Sequence, residues 1–261
     1  MHDPDVLSRS TMRTPRWAGP PDRGTALAAC VGFMLVWHTV LVLARYVMPD
    51  LRPAVLPTLG ATLGNAVVFL FSLAVVLVLG WGRETGVTTW RVRDAWLLLP
   101  PLAVALSWVG PQGVVASAVL PLAVRMIFVS AAEEIAARGI YLRLLAPWGP
   151  GWACVLSGAV FGLSHVGNVL FFNQSWPITA EMMVVAVLFG TVYAALRLRV
   201  EAIWPLVLLH AINNTAEYAS VEPPPLWYKA VVGVAALAYA RWVLRPVTDV
   251  VPPHRRERLV G

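Results

Sequence analysis

Charge is scarce in this chain. Only 13% of its 261 residues are Asp, Glu, Lys or Arg, against about a quarter in an ordinary soluble domain. Lysine is rarer still: Lys229 is the only one, so the net charge of +6 comes almost wholly from arginine. Cysteine is limited to Cys30 and Cys154, and two cysteines without C-x-x-C spacing give neither a disulfide framework nor a cysteine zinc site. H-E-x-x-H is absent, which excludes the helical zinc-protease signature. No internal repeat is evident, and a transporter built from repeated halves would show one.

Apolar residues fill the space that charge leaves. They make up 58% of the chain, at a mean hydropathy of +0.69. They come in blocks: 25–44, 59–79 and 184–196 approach or reach the length that spans a bilayer. The pattern predicts an all-α, polytopic membrane bundle. Helical segments are expected at about 25–47, 58–80, 95–109, 113–145, 152–172, 179–197, 201–219 and 226–244. Breakers separate them: Pro49, Pro53 and Pro57, then Gly80 and Gly82, Gly110 and Pro111, Pro147 with Gly149 and Pro150, Pro177, and prolines 223–225. Residues 1–23 are expected to form a flexible tail, 24–245 one integral-membrane domain, and 246–261 a basic tail. The first apolar run is too long, and lacks the small-residue exit, for a cleaved signal peptide.

Arginines set the expected orientation. Arg9, Arg13, Arg16 and Arg23 precede the first segment, and Arg245, Arg255, Arg256 and Arg258 follow the last. Arg83, Arg91 and Arg93 occupy the second connection, Arg197 and Arg199 the sixth. The positive-inside rule then puts both ends in the cytoplasm, which requires an even number of spans; eight fit. The cell membrane is the expected location. A pI near 9.9 would suggest nucleic acid on a soluble protein. Here arginines flank apolar runs, so topology and anionic lipid headgroups account for them and no nucleic-acid partner is expected. Nothing in the sequence fixes an oligomeric state.

Against this background, polar groups inside the spans carry the information. Residues 130–140 read SAAEEIAARGI. Glu134 and Arg138 stand at i, i+4 with the acid first, the favourable order for a pair on one helix face. Glu133 lies about 100° around the helix, free to face a cavity, unless all three form a solvated helix end. Phe161 and His165 stand one turn apart on the next segment, where His165 could equally be a core histidine bonded to a backbone carbonyl. His210 and Asn214, also at i, i+4, share a face that could simply bond a neighbouring helix. Depth joins the three clusters. At about 1.5 Å per residue, Glu133 lies roughly 18 Å, His165 roughly 20 Å and His210 roughly 13 Å from the same expected side. One polar cavity within the membrane is therefore expected.

Such a set has chemical uses. A carboxylate can take a proton from water, a histidine can hold the same water, and His with Asn can donate to a developing oxyanion. Alternatively Glu133, His165 and His210 could hold a metal ion, zinc being the one that takes His₂Glu ligands in some hydrolases.

EExxxR, FxxxH and HxxxN, in this order on three membrane segments, resemble the CPBP family of CAAX prenyl-protein endopeptidases, bacteriocin-processing or self-immunity proteins and Abi proteins. The resemblance covers residues 113–219. It implies an intramembrane endopeptidase acting on a membrane-associated, lipidated or CAAX-type protein or peptide. It further implies Glu133 as general base, His165 as positioner of the attacking water, and His210 with Asn214 as the oxyanion hole. Glu134 and Arg138 would organise the site, and Phe161 would pack near His165. A metal-free mechanism is preferred, since Asn214 beside His210 suits an oxyanion hole better than a ligand set. A non-catalytic immunity or scaffold protein of the family type, and a proton-coupled transporter, are the alternatives. The C-terminal RRERLVG is not itself a CAAX box.

Overall fold

The computed structural model describes residues 22–48, 53, 56–222 and 224–248. Most of both expected tails, together with Pro49 and Pro223, lies outside the described residues. In lipid a backbone must satisfy itself, and a helix does so within one segment. Accordingly every regular element is a helix, and among the described residues there is no strand. The main helices are α1 (Arg23–Val47), α2 (Leu59–Val78), α3 (Leu99–Ser107), α4 (Ala116–Leu144), α5 (Pro150–Ser164), α6 (Gly167–Phe172), α7 (Trp176–Val200), α8 (Trp204–Ala219) and α9 (Leu226–Thr248). Asp22 starts α1, accepting from the backbone N–H of Thr25 at 2.9 Å and from its hydroxyl at 2.6 Å. Those bonds hold its carboxyl below the usual range.

Five helical stretches are long and apolar enough to cross a membrane: α1, α2, α4, the α5–α6 stretch and α7. The outward faces of these helices show Leu35, Leu43, Leu70, Leu77, Leu120 and Val184, a coat that suits lipid and would be anomalous in water. This is an integral membrane protein. The other three expected spans differ for physical reasons. The stretch Ala95–Ser107 is short. The 16 residues of α8 extend about 24 Å, less than a ~30 Å hydrocarbon core. Finally, α9 carries Lys229 and Arg241 along its length.

Glycines let α5 and α7 pack against each other at close range. A Cβ on Gly158 would lie 2.7 Å from the Val187 carbonyl oxygen, and one on Gly162 would lie 2.7 Å from that of Met183. Gly158 and Gly162 form a G-x-x-x-G stripe, which allows close backbone approach in membranes. At one end of the bundle the connection between α2 and α3 is clamped by arginines. Buried Arg197 donates to the carbonyls of Thr85 and Glu84, each at 3.1 Å. Arg199 pairs with Asp94 at 2.6 Å and Arg93 with Glu201 at 3.2 Å.

Candidate active site

The fifth sequence segment is continuous in hydropathy but not in structure. Within a helix the Phe161 carbonyl would accept from the backbone N–H of His165. Here it accepts instead from the Ser164 hydroxyl at 2.6 Å and from His165 Nδ1 at 2.9 Å. The His165 N–H turns to Gly162 at 3.1 Å, and α5 ends. Side chains that bond their own turn compete with the helix in this way. The carbonyl only accepts, so Nδ1 carries the proton and Nε2 is left as an acceptor. The core-histidine bond foreseen for His165 is therefore present, and it sets the tautomer.

The motif of α4 is locally unusual as well. The helix widens into a π turn over Ile135–Tyr141, a feature that recurs at functional sites. It presents the Ala137 carbonyl to α5, where the Ser157 hydroxyl donates at 2.7 Å. Glu134 and Arg138 pair at 3.0 Å, both almost completely buried. The Arg138 guanidinium lies between two rings, 4.5 Å from the Phe161 centroid and 5.3 Å from that of Tyr193.

His210 joins the two glutamates. Its Nδ1 lies 2.7 Å from Glu134 Oε1 and its Nε2 lies 3.6 Å from Glu133 Oε2. Glu134 is fully buried, whereas the Glu133 side chain keeps 20% of its surface. Phe161 stands edge-on to both imidazoles, at 5.0 Å from His165 and 6.3 Å from His210. Glu133 and His165 share a cavity wall with Phe161, Ser164, Trp37, His38 and Asn168. The space between them, about 50 Å³, is enough for a few waters. Two of the expected clusters thus share one cavity, and His210 of the third contacts both glutamates without lining it. Asn214 stands apart from the rest: half-buried, one turn beyond His210 on α8 and off that wall.

Several contributors left no mark in the sequence. His38 reaches the cavity from α1, with Nδ1 on the Met34 carbonyl at 3.0 Å and its ring against Gly167. Tyr193 from α7 stands 5.8 Å from His210, edge-on. A lone histidine or tyrosine in an apolar run has no spacing partner to reveal it.

Both imidazoles of the expected metal set are held through Nδ1, which would leave Nε2 for a ligand bond. Among the described residues, however, no three His, Cys, Asp or Glu side chains converge closely enough to hold a metal ion. The residues as placed do not fit that group.

Residues 115–216 match the family model described as type II CAAX prenyl endopeptidase Rce1-like. The matched segment runs from the start of α4 nearly to the end of α8, and it contains every motif residue. No curated protein and no solved structure gives a significant match.

Proposed function

From the match of residues 115–216 to the Rce1-like CAAX endopeptidase family model, we propose that the chain is an intramembrane endopeptidase that cuts a membrane-associated, CAAX-type substrate. One observation carries the assignment of roles. Of two adjacent glutamates, Glu134 is paired with Arg138 and in contact with His210, while Glu133 lines the same cavity as His165.

In the proposed reaction Glu133 takes a proton from a cavity water, and His165 Nε2 accepts the other hydrogen and aims the oxygen. The water oxygen bonds to the scissile carbonyl carbon, and the carbonyl oxygen becomes an oxyanion. His210 Nε2 and the Asn214 amide are its donors. Collapse of the intermediate breaks the C–N bond, and Glu133 returns its proton to the leaving amine. The buried pair with Arg138 fixes Glu134 as a support and leaves Glu133 for water.

A farnesylated CAAX peptide incubated with purified protein tests this. Wild type is expected to release the terminal tripeptide, and Glu133→Gln or His165→Ala to lower the rate by two orders of magnitude or more, with roughly 10²–10⁴-fold typical for a lost acid–base group. Cleavage is expected to survive 1,10-phenanthroline. Unchanged turnover by the Glu133→Gln protein would refute the mechanism. Neither the immunity or scaffold alternative nor the transporter is favoured by an observation in this structure.

A further inference from the structure

Arg45 on α1 and Arg125 on α4 have no part in that mechanism. α1 and α5 begin side by side, where Trp148 Nε1 donates to the Arg23 carbonyl. They then run the same way past the cavity. Leu41 and Asn168 line the wall. One turn beyond Leu41 is Arg45, and one turn beyond Asn168 is Phe172. The two meet, with the Arg45 guanidinium 5.8 Å from the Phe172 centroid. The Arg45 stem lies across Gly64, its Cδ 3.3 Å from where a Cβ would stand, so a side chain there would push the guanidinium away.

Arg125 approaches from α4. It lies within electrostatic reach of Arg45 and of Tyr218, and Tyr218 is in turn within reach of Glu133. Arg125 Nε is buried with no hydrogen-bond partner, and among the described residues no carboxylate pairs with either arginine. A half-buried cation without a counter-ion is costly as structure and well suited to an incoming anion. The spacing indicates which anion. Arg125 precedes Glu133 by eight residues, about 12 Å along a helix. A C-a-a-X box ends in a free carboxylate three residues past its cysteine, and three extended residues span about 10–11 Å.

We infer that Arg125 and Arg45 together receive the free α-carboxylate of the substrate, measuring the distance from its end to the bond presented to Glu133. This rests on the endopeptidase reading and names the feature of the substrate that the site selects.

The test uses two farnesylated peptides ending in Cys-Val-Ile-Ala, one a free acid and one a C-terminal amide. Binding to Glu133→Gln protein and cleavage by wild type are both measured. The acid should bind, and be reflected in KM, about tenfold or more better than the amide, with kcat little changed. Arg125→Gln should bring the two peptides to parity without lowering Tm, since among the described residues no ion pair of Arg125 is lost and its Nε has no hydrogen bond; Arg125→Lys should restore part of the preference. Arg45→Gln, an exposed change, gives the same readout should Arg125→Gln fold poorly. Equal treatment of acid and amide by wild type, or an unchanged preference in both variants, would overturn the inference while leaving the endopeptidase intact. Preferential binding of the acid without cleavage would keep the receptor and remove the endopeptidase. A third arm compares nanodiscs of phosphatidylglycerol and phosphatidylcholine. Loss of bound anionic lipid in Arg125→Gln, with the peptide preference unchanged, would assign the arginines to headgroup phosphate and also overturn it.

Discussion

Glu133 and Glu134 are neighbours with opposite circumstances, and their stabilities on substitution should differ accordingly. Glu134→Gln leaves Arg138 buried between two aromatic rings without its counter-ion. Breaking one side of a buried pair costs about 3–5 kcal/mol, so a large fall in Tm in detergent is expected. Glu133→Gln, which loses only a longer contact to His210, should change stability by about 0.5 kcal/mol or less. Thermal unfolding of both proteins, read by tryptophan fluorescence, checks the contrast; equal losses would contradict the division of roles. The pairing of Glu134 with Arg138 was legible in the sequence, because i, i+4 spacing alone separates that acid from its neighbour. The contributions of His38 and Tyr193 were not legible, since each depends on where a distant helix places a single residue.

At the level of elements, prolines and glycines gave helix limits close to those observed, because breakers act locally. Two departures depend on bonds that hydropathy does not register. One is the end of α5 at His165, where side chains take over the Phe161 carbonyl. The other is the π turn after Glu134. The G-x-x-x-G stripe of α5 is a third feature of this kind, and it determines how firmly Phe161 and His165 are held. Gly162→Ala would set a methyl group against the Met183 carbonyl. Overpacking of that sort costs about 1–3 kcal/mol, so the variant should lose Tm and activity together. Gly32→Ala is the control, since a Cβ there meets nothing within 4 Å and should leave both unchanged.

For the molecule as a whole, membrane character was plain from composition, but the number of crossings was less so. Hydropathy treats each segment separately, whereas α3 and α8 are short helices that pack on one another. The eight-span frame expected from arginine placement would put both ends in the cytoplasm, in which case green fluorescent protein fused to either end should fluoresce. Arg197 connects this frame to the fold. While the chain is being inserted, its charge counts toward orientation irrespective of shape. Once the chain has folded, its planar fork holds the Thr85 and Glu84 carbonyls, a geometry that an ammonium cannot reproduce. The two duties belong to different moments in the life of one side chain, and Arg197→Lys should separate them: the protein would enter the membrane the right way round, then mature with the connection between α2 and α3 unfastened and open to protease.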